Sequence, residues 1–205
     1  MRRLILAGGL VFVVVASAES VSPERLKALQ ADPVAFKATV DGGRKISFFC
    51  ANCHGENGVS KTPDVPNLAG QNPAYLLEQI RKFGSGERKD PFMQGVIKVL
   101  KEDERLQVAI YYSSGTVPPS PADAQQVAKG KEIFFKLCVR CHGDQARGNA
   151  EIPRLAGQKQ PYLQSAIMRY RDGTGIRSNQ LMSIATAPLR NEDVVAVTNY
   201  LTQLP

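Results

Sequence analysis

The chain has 205 residues, 43% of them hydrophobic and 22% charged, with 7% aromatics, no tryptophan and a formal net charge of +7. That composition excludes a disordered or fibrous chain and leaves one or two globular domains. Aromatics are so few that a core drawn from half the chain would be thin unless something else filled its centre.

The N terminus reads as an export signal over residues 1–18. Arg2 and Arg3 form a charged start, Leu4 to Val15 an apolar run too short to span a bilayer, and Ala16-Ser17-Ala18 a small-x-small cleavage site. The mature chain then begins near Glu19, and an uncleaved membrane anchor is the less favoured alternative. Residues 19–39 form an N-terminal extension whose Leu26, Leu29, Pro33 and Phe36 give a weak helical face.

From Asp41 the sequence repeats with a period of about 88 residues, too long for a solenoid unit and suited to a duplicated domain. Gly42 matches Gly130, and Pro66-Asn67-Leu68-Ala69-Gly70-Gln71 matches Pro153-Arg154-Leu155-Ala156-Gly157-Gln158. Tyr75-Leu76 matches Tyr162-Leu163, and Tyr111 matches Tyr200. The predicted domains are 40–115 and 127–205, joined by a proline-rich stretch at 116–126 that reads as a stiff connector. Each copy predicts a first helix, from about Gly42 into Cys53 and from about Val127 into Cys141. A second runs from Pro73, with Asn72 as N-cap, to Gly84, and its counterpart from Pro161 to about Gly173. A last helix covers about 102–113 and recurs from Asn191, as N-cap, to Gln203. No alternating strand pattern appears, so the fold class is all-α.

One five-residue stretch occurs once per copy: Cys50-Ala51-Asn52-Cys53-His54 and Cys138-Val139-Arg140-Cys141-His142. Cys-x-x-Cys alone also suits a redox dithiol or a zinc site. Cys-x-x-Cys-His reads as a c-type haem attachment, with two thioethers to the porphyrin and the histidine as an axial iron ligand. The two copies consume all four cysteines and both histidines of the chain, which favours haem over zinc or dithiol chemistry. Two haems would also fill the thin cores, and their propionates would offset much of the positive charge. A near-neutral holoprotein argues against nucleic acid as partner.

A second axial ligand must come from another residue type, because no histidine remains. Met93 and Met182 stand at nearly equal distances after His54 and His142, each in a predicted loop before the last helix of its copy. A lone methionine is usually core filling; a matched pair reads as thioether ligation. Met168 aligns with Arg81 and so reads as packing. Lysine as the second ligand has no sequence support.

With these residues the chain resembles the di-haem cytochrome c4 family, two tandem class I cytochrome c domains each wrapped around a covalent haem, over about residues 40–205. The resemblance rests on both Cys-x-x-Cys-His stretches, the paired Leu-Ala-Gly-Gln segments with the Tyr-Leu pairs after them, and the Met93 and Met182 positions with Leu100 and Leu189 beyond. It implies that the Pro66 and Pro153 carbonyls hold the ring N–H of His54 and His142. It implies too that Gly42 and Gly130 let the first helix cross the last closely near Tyr111 and Tyr200. The two domains would share an interface that brings the haem propionates near each other. The extension at 19–39 departs from the family pattern.

The expected function is a periplasmic electron carrier, not an enzyme, passing single electrons through two His/Met-ligated haems to redox partners. The resemblance names a terminal oxidase as acceptor, and peripheral membrane association is compatible with it. The alternative is the cytochrome subunit of a dehydrogenase complex, such as a flavocytochrome c sulfide dehydrogenase, with 19–39 as a docking arm. A di-haem peroxidase would need an open iron site, which two filled methionine positions disfavour.

Overall fold

A computed structural model describes residues 23–205; the predicted export signal and the first residues of the extension lie outside the described residues. All regular structure among the described residues is helical: α1 (Pro23–Ala31), α2 (Pro33–Ile46), α3 (Ala51–His54), α4 (Pro73–Ser85), α5 (Pro91–Lys98), α6 (Glu102–Ser113), α7 (Ala124–Leu137), α8 (Val139–His142), α9 (Gln160–Arg171), α10 (Gln180–Thr186) and α11 (Asn191–Thr202). Apart from α1, the order repeats, with α2 to α6 followed by α7 to α11. No helix among the described residues is long and apolar enough to cross a membrane.

The helix starts follow local chemistry. Asp32 accepts from the Val34 and Ala35 amides at the head of α2, with Pro33 in the first turn, where a missing N–H costs nothing. Asp123 does the same for Gln125 at the head of α7. At α6 and α11 the N-cap residues are Lys101 and Arg190, whose backbone amides donate to the Glu104 and Asp193 carboxylates. Those carboxylates also face the positive end of the helix dipole. The predicted N-cap role of Asn191 is corrected by one position, since Asn191 is the first helical residue.

Each bundle is built on a crossing of its first and last long helices, α2 over α6 and α7 over α11. In the second bundle Phe134, Val194, Val197 and Leu201 are sealed from solvent, and Leu163 and Ile167 of α9 pack on them. In the first, Leu76, Ile80 and Phe83 of α4 meet Val108, Ala109 and Tyr112 of α6. Burying each such side chain contributes roughly 1.5–3 kcal/mol before conformational entropy is counted.

The crossing needs a residue with no side chain. At Gly130 a Cβ would stand 2.0 Å from the Ala196 carbonyl oxygen, and at Gly43 it would stand 2.1 Å from that of Gln107. The expectation that placed Gly42 at the crossing is therefore corrected by one residue. Gly42 meets only the end of the Gln107 side chain.

Three further expectations change. The first helix does not run from Gly42 into Cys53: it starts at Pro33, inside the predicted extension, and stops at Ile46, leaving the motif on its own short turn. The second helix continues past Gly84 to Ser85 and closes on left-handed Gly86. The segments carrying Met93 and Met182 are helices, not loops. Earlier in the extension, Pro23–Ala31 forms α1, whose Leu26 and Leu29 join Phe36 against Leu106 and Ile110 of α6. The proline-rich stretch lies along the second bundle: Val117 is buried beneath Gly157 and the Ser120 amide donates to the Thr202 carbonyl at 3.0 Å.

Candidate haem sites

In each copy the five-residue stretch folds as a single helical turn. The His54 and His142 amides donate to the Cys50 and Cys138 carbonyls at 2.9 and 3.0 Å. Helical spacing of three and four residues puts both thiols and the imidazole along one face of that turn. Cys53 and Cys141 are exposed, Cys50 and Cys138 half-buried, and no disulfide links any of the four. In the polypeptide before haem attachment, burial raises the Cys50 thiol above its ordinary value and pushes Cys138 up to about 11.

Both histidines are buried, 8% and 4% exposed. Their Nδ1 atoms lie 3.0 Å from the carbonyl oxygens of Pro66 and Pro153. A carbonyl can only accept, so Nδ1 carries the proton and the Nε2 lone pair is left for another partner. Burial holds both rings below the ordinary imidazole value despite those bonds, and the Arg88 charge adds to the effect at His54. The rings are thus neutral near pH 7, as a ligating imidazole must be.

Met93 and Met182 occupy the same register on α5 and α10. Each is the third residue of its helix, with its amide donating at 3.0 Å to the N-cap side chain, Asp90 or Asn179. Met93 packs, with Cys50, Leu68 and Leu100, against the buried cluster of the first bundle. Met182 is half-buried, and Met168 packs against the core of the second bundle. A cleft of about 830 Å³ beside the first motif is lined by Cys53, Glu56 and Tyr111 but by neither His54 nor Met93, so it is not the face on which these residues would meet a haem.

Between the bundles lies a cluster that the motif search did not reach. Arg177, 9% exposed, donates to the hydroxyls of Tyr75 at 2.8 Å and Tyr162 at 3.1 Å. Arg88 donates to Tyr162 at 3.2 Å and to Gln79 at 3.0 Å. Burial raises the Tyr162 phenol, but the Arg177 and Arg88 charges outweigh it and draw the phenol below its ordinary value. No carboxylate among the described residues pairs with either arginine. A buried cation without an anion is costly, so Arg177, with the half-buried Arg88 beside it, fits the carboxylates of a bound porphyrin. The signal was present in the sequence as Gly86-Glu87-Arg88 and Gly175-Ile176-Arg177, the same short pattern in both copies.

The cytochrome c family profile matches residues 127–205. Cytochrome c4 of Pseudomonas aeruginosa is 30% identical over 174 residues, covering 79% of this chain and 87% of that one. The chain belongs to the cytochrome c4 family. A crystal structure of reduced recombinant cytochrome c4 from Pseudomonas stutzeri superposes with a TM-score of 0.75 at 28% identity, over 81% of this chain and 98% of that one. A relative described as a thiosulfate dehydrogenase electron acceptor, from Thiomonas intermedia, is 33% identical over 173 residues, 76% of this chain and 78% of its own length. As a cytochrome c4 the chain carries two covalently bound haem c groups and serves as an electron carrier.

Proposed function

We propose that the chain is a periplasmic carrier of single electrons between a dehydrogenase and a terminal oxidase. Cys50 and Cys53 hold one haem by thioethers, with His54 and Met93 as its axial ligands. Cys138 and Cys141 hold the other, with His142 and Met182. A bound haem supplies a ferric/ferrous one-electron couple, whose potential a soft thioether opposite histidine raises. The remaining work falls to the protein: Pro66 and Pro153 orient the rings, and Arg88 and Arg177 neutralise porphyrin carboxylates between the two bundles. Residues 40–115 and 127–205 serve as the two haem domains.

The observation that carries this reading is the Nδ1-to-proline carbonyl bond, at 3.0 Å in both copies, which presents each imidazole through Nε2 alone. Its test is substitution of the methionines. Met93→Ala and Met182→Ala should each lower one reduction potential and remove the methionine–ferric charge-transfer band of one haem. Survival of both bands in both variants would show the ligand assignment to be wrong.

The likeness to the Thiomonas thiosulfate dehydrogenase electron acceptor supports a dehydrogenase as donor. That α1 and the start of α2 lie against α6 through Leu26, Leu29 and Phe36 supports reading this segment as part of the first bundle more than as a free docking arm. Export through residues 1–18 supports the periplasmic location. Sequencing the N terminus of protein from the periplasmic fraction should read from Glu19, and the carrier should purify without a catalytic chain and be oxidised by native membranes.

A further inference from the structure

The glutamine that ends each Leu-Ala-Gly-Gln segment reaches into the other bundle, while its oxygen also accepts the amide N–H of the next residue in its own, Asn72 or Lys159, at 2.9 Å. Gln158 of the second bundle accepts the Asn67 amide N–H at 2.7 Å and donates to the Asn67 carbonyl at 2.8 Å. Gln71 of the first bundle accepts the Arg154 N–H at 2.8 Å and donates to the Arg154 carbonyl at 2.9 Å. Both side chains are buried, 6% and 7% exposed. The amide orientation is fixed by its partners, because a backbone N–H only donates and a carbonyl only accepts.

Asn67 and Arg154 directly follow Pro66 and Pro153. The Asn67 N–H and the Pro66 C=O therefore belong to one peptide group, planar and conjugated. On one side that peptide donates to Gln158 of the opposite bundle; on the other it accepts from His54 Nδ1 at 3.0 Å. The Pro153–Arg154 peptide does the same between Gln71 and His142. In such a chain each bond polarises the next: an acceptor on the N–H pushes electron density toward the carbonyl oxygen and strengthens its hold on the imidazole proton.

We propose that Gln158 and Gln71 are crossed positioning residues, Gln158 setting the orientation and basicity of His54 and Gln71 those of His142, each through one peptide plane across the bundle interface. The proposal rests on the reading of His54 and His142 as axial ligands. A more basic imidazole stabilises ferric iron, so hydrogen bonding beyond the ligand is a lever on reduction potential. Each bundle thereby sets the potential of the haem held by the other, and separating the bundles would change both.

The test uses the di-haem protein and resolves its two potentials by spectroelectrochemistry, with the bands assigned through Met93→Ala and Met182→Ala. Gln158→Met should raise the potential of the haem attached at Cys50 and Cys53 and leave the other in place. Gln71→Met should do the reverse. Gln158→Glu keeps an acceptor for the Asn67 N–H but sets its second oxygen against the Asn67 carbonyl, so, titrated to the alkaline side where this buried carboxyl ionises and becomes the stronger acceptor, it should move the first haem downward and by more than the second. Opposite signs for Met and Glu are not expected of residues that merely fill space, and the Glu variant decides the matter if the Met variant does not fold. Shifts confined to the variant's own bundle, equal shifts of both haems, or no shift in a folded protein overturn the proposal. Failure of the ligand reading is separate: it appears as low-spin spectra unchanged by His54→Gly and His142→Gly.

Discussion

Gly43 lies directly against the backbone of Gln107, so close that a Cβ there would stand 2.1 Å from the Gln107 carbonyl oxygen and 2.6 Å from the Tyr111 Cβ. Neither atom can swing aside, since one is helix backbone and the other is fixed to it. Gly43→Ala should therefore push α2 off α6 and destabilise the holoprotein by about 1–3 kcal/mol or more. Gly42→Ala meets only the movable end of Gln107, and the gain in helix propensity of roughly 0.5–1 kcal/mol offsets that displacement. Denaturant unfolding of both variants should place Gly42→Ala near wild type and Gly43→Ala far below it. Equal losses would remove the crossing argument.

Asn72 stands at the N-cap position of α4, yet its side chain makes no capping bond. Its amide instead points at the second bundle and donates to the carbonyls of Arg147 at 3.2 Å and Ile152 at 2.9 Å, and to that of Asn149. Asn72→Ala should cost about 1–2 kcal/mol at the interface. Asn72→Asp should be worse than alanine, because a carboxylate would face carbonyl oxygens. An ordinary N-cap would predict the opposite order, with aspartate as good as asparagine. Thermal unfolding of the two variants separates the cases.

Asn72 also shows where the sequence stops being informative. Its place before a proline at a helix start was legible from local rules, but the use of its amide depends on a partner some 80 residues away that no local pattern encodes. The same holds for Gln71 and Gln158, which were visible as a repeated signature without any indication that each serves the other copy. The haem turns were legible because the chemistry demands residues within one turn. Gly43 was missed because a fixed repeat offset from Gly130 pointed to Gly42, whereas the helix pair aligns one residue later. The helices around Met93 and Met182 were missed because each is only about two turns long, capped by Asp90 or Asn179, residues that suit loops as well as caps.

Acid stability should trace to Asp193. Lys129 of α7 lies 2.8 Å from its carboxylate, and that hydrogen bond, with the Arg190 amide, lowers the acid to about 2. An unfolded aspartate titrates near 3.9. The folded value is depressed, so the contribution is fully present above about pH 4 and is lost as the pH falls toward 2. Unfolding of wild type and Asp193→Asn should differ most at neutral pH and converge only as the pH falls to about 2. A gap that stays constant with pH would assign the loss to packing instead.

The N-caps of α5 and α10 bear on the proposed methionine ligation. Asp90 and Asn179 each hold the methionine amide in the first helical turn, and replacing such a cap with alanine costs about 1 kcal/mol, most of it local. Loosening that turn leaves the thioether free to leave iron more often. Asp90→Ala should lose the methionine–ferric band of the first haem at a lower temperature than wild type, with the second haem unmoved. Asn179→Ala should reverse the pattern, and Asp90→Asn, which still accepts from Met93, should stay close to wild type. Bands that fade together in either alanine variant would mean that the caps act on the whole fold, and that Met93 and Met182 are not held by them individually.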